Sequence, residues 1–377
     1  MKMSHKGPDR QSIAALLVYG IIYCLYVWKY SYSNRPFPEL TLLVYGLLVP
    51  PVLIMAFSRL PGRFTTLLSE RLFLILVIFF AVGFSAVMLQ FDPMAIQIGR
   101  YPALVEWNER LFSGQFPYCA GSKPSGFPIL FLLAAPFYWL GEVGFLQMLG
   151  FVLFAWVIHS RCERSSADKL RLLLLFIAAP VFAFEVCVRS DLVANAVVVL
   201  TALEITRRFH NHDSPSTPVW LGLLLGMAAS TRGIFLPAYL ITLPVIVRRH
   251  EINYVVTLLG SAVFGLLATL APFIVWDWSS FWTCGPLSVQ LSHIPAWLLV
   301  LAAAVSLGSG LRMKTFRSAY ITTGMVLFGI VAATMAISLA AHGLTATVEY
   351  DAHFDMAYFG FSLPFIVTAL CGHDNRL

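Results

Sequence analysis

The residues able to do chemistry sit between long apolar runs rather than within them. Asp92, Glu106, Glu109, Asp191, Asp277, Glu349, Asp351 and Asp355 fall in these intervals, together with Arg189 and Arg232. Charges inside the runs are few and lie near their ends: Arg171, Glu185 and Glu204. An ion-coupled transporter carries ionisable groups along its path, so this distribution argues against one. Asp92 is the sharpest candidate, because it follows directly on the run ending Met88-Leu89-Gln90-Phe91. A carboxylate at that depth would be partly desolvated, which raises its proton affinity and suits it to act as a general base. An ordinary acid capping a loop would occupy the same place. The six cysteines are scattered without a CxxC pair, so no zinc site is expected. Cys119 and Cys284 lie in two of the intervals and are either a disulfide or two packed thiols.

The elements that must hold these groups are membrane helices. Of the 377 residues, 59% are hydrophobic and 12% charged, and the mean hydropathy is +0.79. That excludes a soluble globular enzyme and a disordered chain. Apolar runs near 13–30, 39–57, 72–90, 144–158, 170–187, 191–206, 218–230, 233–247, 254–275, 294–309, 319–341 and 357–371 predict an all-α polytopic protein of about 12 spans. They leave no room for an appended soluble domain, so residues 1–377 read as a single transmembrane domain. Lys2, Lys6 and Arg10 precede the first run, but Trp28-Lys29-Tyr30 is a poor cleavage site for a signal peptide. The net charge of +6 fits lysines and arginines retained at the cytoplasmic side. No basic stretch interleaved with aromatics suggests nucleic acid.

Residues 127–140 are apolar enough to cross the membrane or to lie on it, and charge bias separates the two. With this stretch on the surface, only Lys29, Arg35, Arg100, Arg110, Lys123, Arg189 and Arg232 fall opposite the amino terminus, and the other 18 of 25 basic residues share its side. A crossing would move every basic loop after residue 159 outward and abolish the bias. The positive-inside rule therefore predicts a surface helix, and by the same parity two helices within 218–247. The outer loop 91–143 then carries a second interfacial helix after Pro102, with Leu104, Trp107 and Leu111 on one face. Inner loops are short, so activity is expected at the outer face.

Asp92, then Leu111-Phe112-Ser113-Gly114-Gln115-Phe116-Pro117-Tyr118, then Gly126-Phe127-Pro128, resembles the first outer loop of GT-C membrane glycosyltransferases. Val188-Arg189-Ser190-Asp191-Leu192 resembles that superfamily's second outer turn. Ser230-Thr231-Arg232 and Leu236-Pro237 resemble its paired short helices, and Ala271-Pro272-Phe273 through Trp276-Asp277 to Phe281-Trp282 its following segment. The ordered set covers roughly residues 72–290. Asp92 is followed by Pro93-Met94 rather than a second acid, and two spans precede the one leading into the loop where many relatives have one.

The resemblance implies a mannosyltransferase-like enzyme that uses a polyprenyl-phosphate sugar and a glycan, lipid or protein acceptor at the outer face of the bilayer. Asp92 takes the place of the catalytic base. Arg232 and Arg189 are then candidates for the leaving phosphate, where negative charge grows; each is otherwise an arginine snorkelling to the interface. Asp191 would orient Arg189 or an acceptor, or else be a helix N-terminal acid. Glu106 would replace Asp92 as base, or lie on a solvated helix face. His353 and Asp355 would bind a metal or hydroxyls, or belong to a solvated loop, the better reading since the spacing matches no metal site. Trp107, Tyr118, Trp276, Trp278 and Trp282 would stack on sugar or form the interfacial aromatic belt. No metal or cofactor is implied. The absence of an Asn-x-Ser/Thr acceptor fits a bacterial plasma membrane, with both termini cytoplasmic. A lipid or lipid-linked-glycan transporter and a non-catalytic assembly subunit are the alternatives.

Overall fold

The structure, a computed structural model, describes residues 10–32, 47, 50–51, 70–93, 100–162, 166–212, 214–349 and 353–371. Its ordered elements are helices. The chain runs through α1 (Arg10–Tyr32), α2 (Glu70–Met88), α3 (Arg100–Phe112), α4 (Pro128–Trp139) and α5 (Phe145–Arg161). It continues through α6 (Ser166–Ile177), α7 (Pro180–Val188), α8 (Leu192–Phe209), α9 (Thr217–Ala229), α10 (Leu236–Val247) and α11 (Ile252–Trp276). The last are α12 (Trp278–Thr283), α13 (Pro286–His293), α14 (Ala296–Gly310), α15 (Phe316–Leu344) and α16 (Leu363–Ala369).

Among the described residues, four helices are long and apolar enough to cross a membrane: α1, α2, α11 and the helix beginning at Phe316. The number rises to six if the bent pairs α6–α7 and α12/α13–α14 each count as one span. Helices α4, α5, α9, α10 and the segment ending at Ala369 are apolar but shorter. The dozen apolar runs are thus matched in part, by long, broken and short apolar helices together. The break in 170–187 comes at Ala179-Pro180, where proline lacks an N–H for the preceding turn and starts α7 at 59° to α6. Expected span 39–57 falls almost entirely outside the described residues.

Exposure separates lipid-facing helices from the core. Leu74, Ile75, Ile78, Phe79 and Val82 of α2, and Val256, Val263, Phe264 and Leu267 of α11, are exposed side by side. Apolar surface this continuous is unfavourable in water and suits a bilayer. Helix α8 is buried on every side, from Leu192 to Thr206, and forms the centre. Helices approach one another where side chains are small. A Cβ on Gly226 would lie 2.0 Å from the Ala262 carbonyl oxygen, and one on Gly222 would lie 2.3 Å from that of Leu258. The Gly222-xxx-Gly226 face thus seats α9 directly on the α11 backbone. Gly150 does the same for α5 against Ala194 of α8.

The 127–140 stretch forms α4, whose 12 residues span about 18 Å, against roughly 30 Å for a hydrocarbon core; both its ends meet the same end of the bundle, Phe127 at Thr231 and Glu142 at Arg189. The 218–247 stretch forms two helices, α9 and α10, as the parity argument requires. Contacts also sort the loops into two ends. One holds Ser12, Arg161, Arg248, Met313, Arg317 and Ala369, joined by bonds such as Arg317 Nη2 to Ser12 Oγ (2.7 Å) and Arg248 Nη1 to the Met313 carbonyl (2.8 Å). The other gathers the segments around Phe91, Ser125, Glu142, Arg189, Arg232 and Gln290. These are the two groups of loops that the basic residues separate in the sequence.

Candidate functional site

The site is built around a turn between α7 and α8. Arg189 adopts the left-handed conformation (φ 54°, ψ 39°), which ends α7 and redirects the chain into α8 three residues later. A non-glycine residue there carries a backbone cost of about 1 kcal/mol or more, offset by what its side chain does. Arg189 Nη1 pairs with Glu142 Oε2 at 2.8 Å, and Nη2 donates to the carbonyls of Met88 (3.1 Å) and Phe91 (2.9 Å). Its guanidinium also faces the Tyr101 ring, 5.3 Å from the centroid. Arg189 therefore fastens the end of α2, the segment leading into Asp92, to the core.

Two residues on, Asp191 stands at the N-cap position of α8, yet its carboxylate does not cap the helix. Glu185 does so instead: its Oε2 accepts from the N–H groups of Leu192 (3.0 Å) and Val193 (3.3 Å). With the helix end satisfied from α7, Asp191 is free to turn to Arg232. Arg232 Nε and Nη2 reach Asp191 Oδ2 at 3.2 and 2.7 Å, and Nη1 reaches Ser125 Oγ at 3.1 Å. Both members of the ion pair are buried. Of the roles considered for Asp191, the geometry brings out orientation, directed at Arg232 rather than Arg189.

Arg232 heads a groove. A cavity of about 270 Å³ runs from Ser125, Arg232, Gly233 and Gln290 down between Leu236, Leu299, Ala302, Ala303, Ile330 and Val331. Its walls are aliphatic and its head is polar. Gln290 fixes that head by donating to the Ser125 carbonyl (2.5 Å) and accepting from the Gly233 N–H (3.0 Å). Helix α4 is anchored alongside, since the N–H groups of Phe127 and Ile129 donate to the carbonyls of Thr231 (2.8 Å) and Ser230 (3.0 Å). The Cys119–Cys284 disulfide ties the loop after α3 to the α12 segment, resolving the two sequence alternatives.

A second, more polar chamber of about 600 Å³ adjoins the groove, and the two share Leu291, Ile294, Thr334, Phe354 and Tyr358. Ser338, His342, His353 and Asp355 line it, with the two imidazole rings stacked 3.8 Å apart. Asp355 is not part of a solvated loop, as its acidic neighbourhood suggested. Arg100 at the start of α3 pairs with it and lies over Tyr358, 4.8 Å from the ring centroid. Burial alone would push the Asp355 carboxyl up, but the Arg100 guanidinium and the Ala357 N–H hold it below the usual carboxylate range. Arg100 also lies within electrostatic reach of Asp191 and Glu185, linking the chamber to the Arg232 pair. Nothing in the spacing of these residues signalled Arg100, Ser125, Glu142 or Gln290.

The remaining candidates are placed differently from expectation. Asp92 is exposed just past the turn that closes α2, rather than sheltered at the lip of a pocket. Residues 94–99 beyond it lie outside the described residues. Glu106 is bound by the Ser122 hydroxyl (2.6 Å) and the N–H groups of Ser122 and Gly121 (3.0 and 2.9 Å). The Ser122 hydroxyl foremost, with these N–H groups, holds its carboxyl below the ordinary value. That makes it a loop clamp and a poor base. Trp107 and Tyr118 form neither a sugar platform nor a belt. Both are fully buried, Trp107 stacked on Phe131 at 4.6 Å and Tyr118 edge-on to Phe273 at 5.9 Å. Trp276, Trp278 and Trp282 are exposed, as belt residues would be. Among the described residues no cluster of three or more His, Cys, Asp and Glu side chains is placed to hold a metal ion. Comparison with protein-family models, curated proteins and solved structures finds no match to the chain.

Proposed function

We propose that the protein is a GT-C-like membrane glycosyltransferase that moves a sugar, mannose or another hexose, from a polyprenyl-phosphate donor to an acceptor hydroxyl. The observation that carries this reading is the groove headed by Arg232 and Ser125. Its aliphatic walls suit a prenyl chain, and a guanidinium nitrogen and a hydroxyl at its head suit a phosphate. Asp191 keeps the arginine fork in register. The acceptor enters through the polar chamber beside the groove.

In the reaction, the Asp92 carboxylate takes the proton of the acceptor hydroxyl. That oxygen attacks the anomeric carbon from the face opposite the phosphate, the bond from carbon to phosphate oxygen breaks, and polyprenyl phosphate leaves. A single displacement inverts the anomeric carbon. Arg232 Nη1 and the Ser125 hydroxyl stabilise the charge that grows on the phosphate. Asp92 is exposed in the free protein, so bound substrate must exclude water from it. Arg189 supports the reaction indirectly: it fixes the carbonyls of Met88 and Phe91, and so the depth at which Asp92 stands. In this reading the helices cross a bacterial plasma membrane about a dozen times, with both termini in the cytoplasm and the site on the outer face.

The test is transfer by the purified protein from polyprenyl-phosphate mannose and glucose to a panel of glycan acceptors. Asp92→Asn should lower turnover by about 10²–10⁴-fold, the usual range for loss of a general base, without altering the unfolding temperature. A lipid transporter would keep moving its substrate in that variant and would break no sugar–phosphate bond in either protein.

A further inference from the structure

Two cysteine pairs lie at opposite ends of the helix bundle. Cys119–Cys284 sits at the end that carries Arg232, with a Cα separation of 5.1 Å. Cys162–Cys371, also disulfide-bonded in the structure, joins the C-cap of α5 to the residues after α16, with a Cα separation of 6.2 Å. Both separations are within disulfide reach. A bilayer that bounds the cell has an oxidising side and a reducing side. Whichever way the bundle is inserted, one pair faces the side where glutathione and thioredoxin keep thiols reduced.

Charge identifies that pair. Arg161 directly precedes Cys162. Arg171 Nη2 donates to the Leu370 carbonyl (3.4 Å) and Arg317 Nε to that of Ala369 (3.1 Å), so two guanidiniums grip the segment ending in Cys371. This is the arginine-rich end, which the positive-inside rule assigns to the cytoplasm. Both sulfurs are buried, with Cys162 2% and Cys371 0% exposed, so only small reagents reach them without local opening.

We infer that Cys162 and Cys371 form a dithiol exchange site facing the cytoplasm, with low-molecular-weight disulfides as its substrate class, whereas Cys119–Cys284 is a permanent link. This rests on the sidedness proposed above and not on the transferase chemistry. One thiol loses its proton and attacks a sulfur of the small disulfide. The small disulfide's S–S bond breaks, and the departing thiolate takes that proton. The second thiol then attacks the mixed disulfide, the Cys162–Cys371 bond forms, and a second small thiol leaves with the second proton. Two electrons pass to the small disulfide in all. Closing this bond joins positions 209 residues apart and fixes α16 to the inner end of the core.

The unaltered full-length chain in its own membranes tests this. Cells are acid-quenched, denatured, and labelled with a polyethylene glycol maleimide that adds one mass step per free thiol, with peptide mapping of the labelled sites. Of the six cysteines, Cys24 and Cys187 belong to neither disulfide. Four labels are expected in untreated cells, at Cys24, Cys187, Cys162 and Cys371. The count should fall to two after inverted membrane vesicles are treated with glutathione disulfide. Two labels in untreated cells, or four after treatment, would overturn the exchange site. Labels at Cys119 and Cys284 in place of Cys162 and Cys371 would overturn the sidedness beneath it. Neither result touches the Asp92→Asn turnover test.

Discussion

Asp191 and Arg232 make a buried pair whose worth lies in mutual dependence. Removing one partner leaves the other charge uncompensated in a low-dielectric setting, so Asp191→Ala should destabilise the protein by about 3–5 kcal/mol. Arg232→Ala should be comparably costly, and the double variant should cost much less than the sum. Thermal or denaturant unfolding of the four proteins in detergent checks this; additive losses would show that the pair is not coupled. Glu106 offers a pH test. Its carboxyl is held below its ordinary 4.5 in the folded protein, so its contribution is complete above about pH 4.5 and is lost as pH falls through the lowered folded value. At pH 7 Glu106→Gln should unfold at a lower temperature than the parent, and the gap should close on acidification through that window. A gap that stays constant with pH would remove the loop-clamp role. Asp92, Arg232 and Arg189 stood out in the sequence because an isolated charge beside an apolar run is conspicuous. Their partners did not. Glu185 takes over the cap that Asp191's position advertises, and that exchange lives in the packing of α7 against α8 rather than in any spacing.

At the scale of elements, hydropathy locates apolar helices well and their lengths poorly. Helices α1, α2, α11 and α15 emerge close to where the runs predict, because uninterrupted apolar residues of sufficient length have one good solution in a bilayer. The run at 170–187 breaks into two helices at Pro180, and residues 356–361 form a 3-10 turn ahead of α16. Average hydropathy does not register such interruptions. The α9–α11 contact is the clearest case in which single atoms decide an interface. Gly226→Ala places a methyl group 2.0 Å from the Ala262 carbonyl oxygen, which the helices relieve only by separating. The expected loss is about 1–3 kcal/mol, measured as a fall in the unfolding temperature, while Gly260→Ala, with open space around it, should be neutral. Equal effects at the two glycines would argue against close α9–α11 packing. The amphipathic outer helix was legible because Leu104 and Trp107 share a face, and both are buried in α3. What Trp107 packs against, Phe131 of α4, was not legible, since that contact closes only when the outer loop folds back on itself.

For the molecule as a whole, charge bias proved more informative than hydropathy. Counting basic residues separates two sets of loops, and the contacts of the folded chain join the same two sets. The two cavities lie at the end opposite the arginine-rich one, one aliphatic with a guanidinium at its head and one polar, sharing a wall at Tyr358. Their existence was foreshadowed only by the length of the outer loop; the residues that line them come from α10, α13, α14 and α15 and converge only in three dimensions. The central claim is that this groove holds a phosphate-headed prenyl lipid within reach of Asp92. Electron cryomicroscopy of the protein in nanodiscs loaded with polyprenyl phosphate tests it most directly. The account predicts density for the phosphate against Arg232 Nη1 and Ser125 Oγ, with the chain descending between α14 and α15 and Asp92 facing the phosphate across a space the size of one sugar. A groove left empty, or a phosphate seated well away from both Arg232 and Asp92, would contradict it.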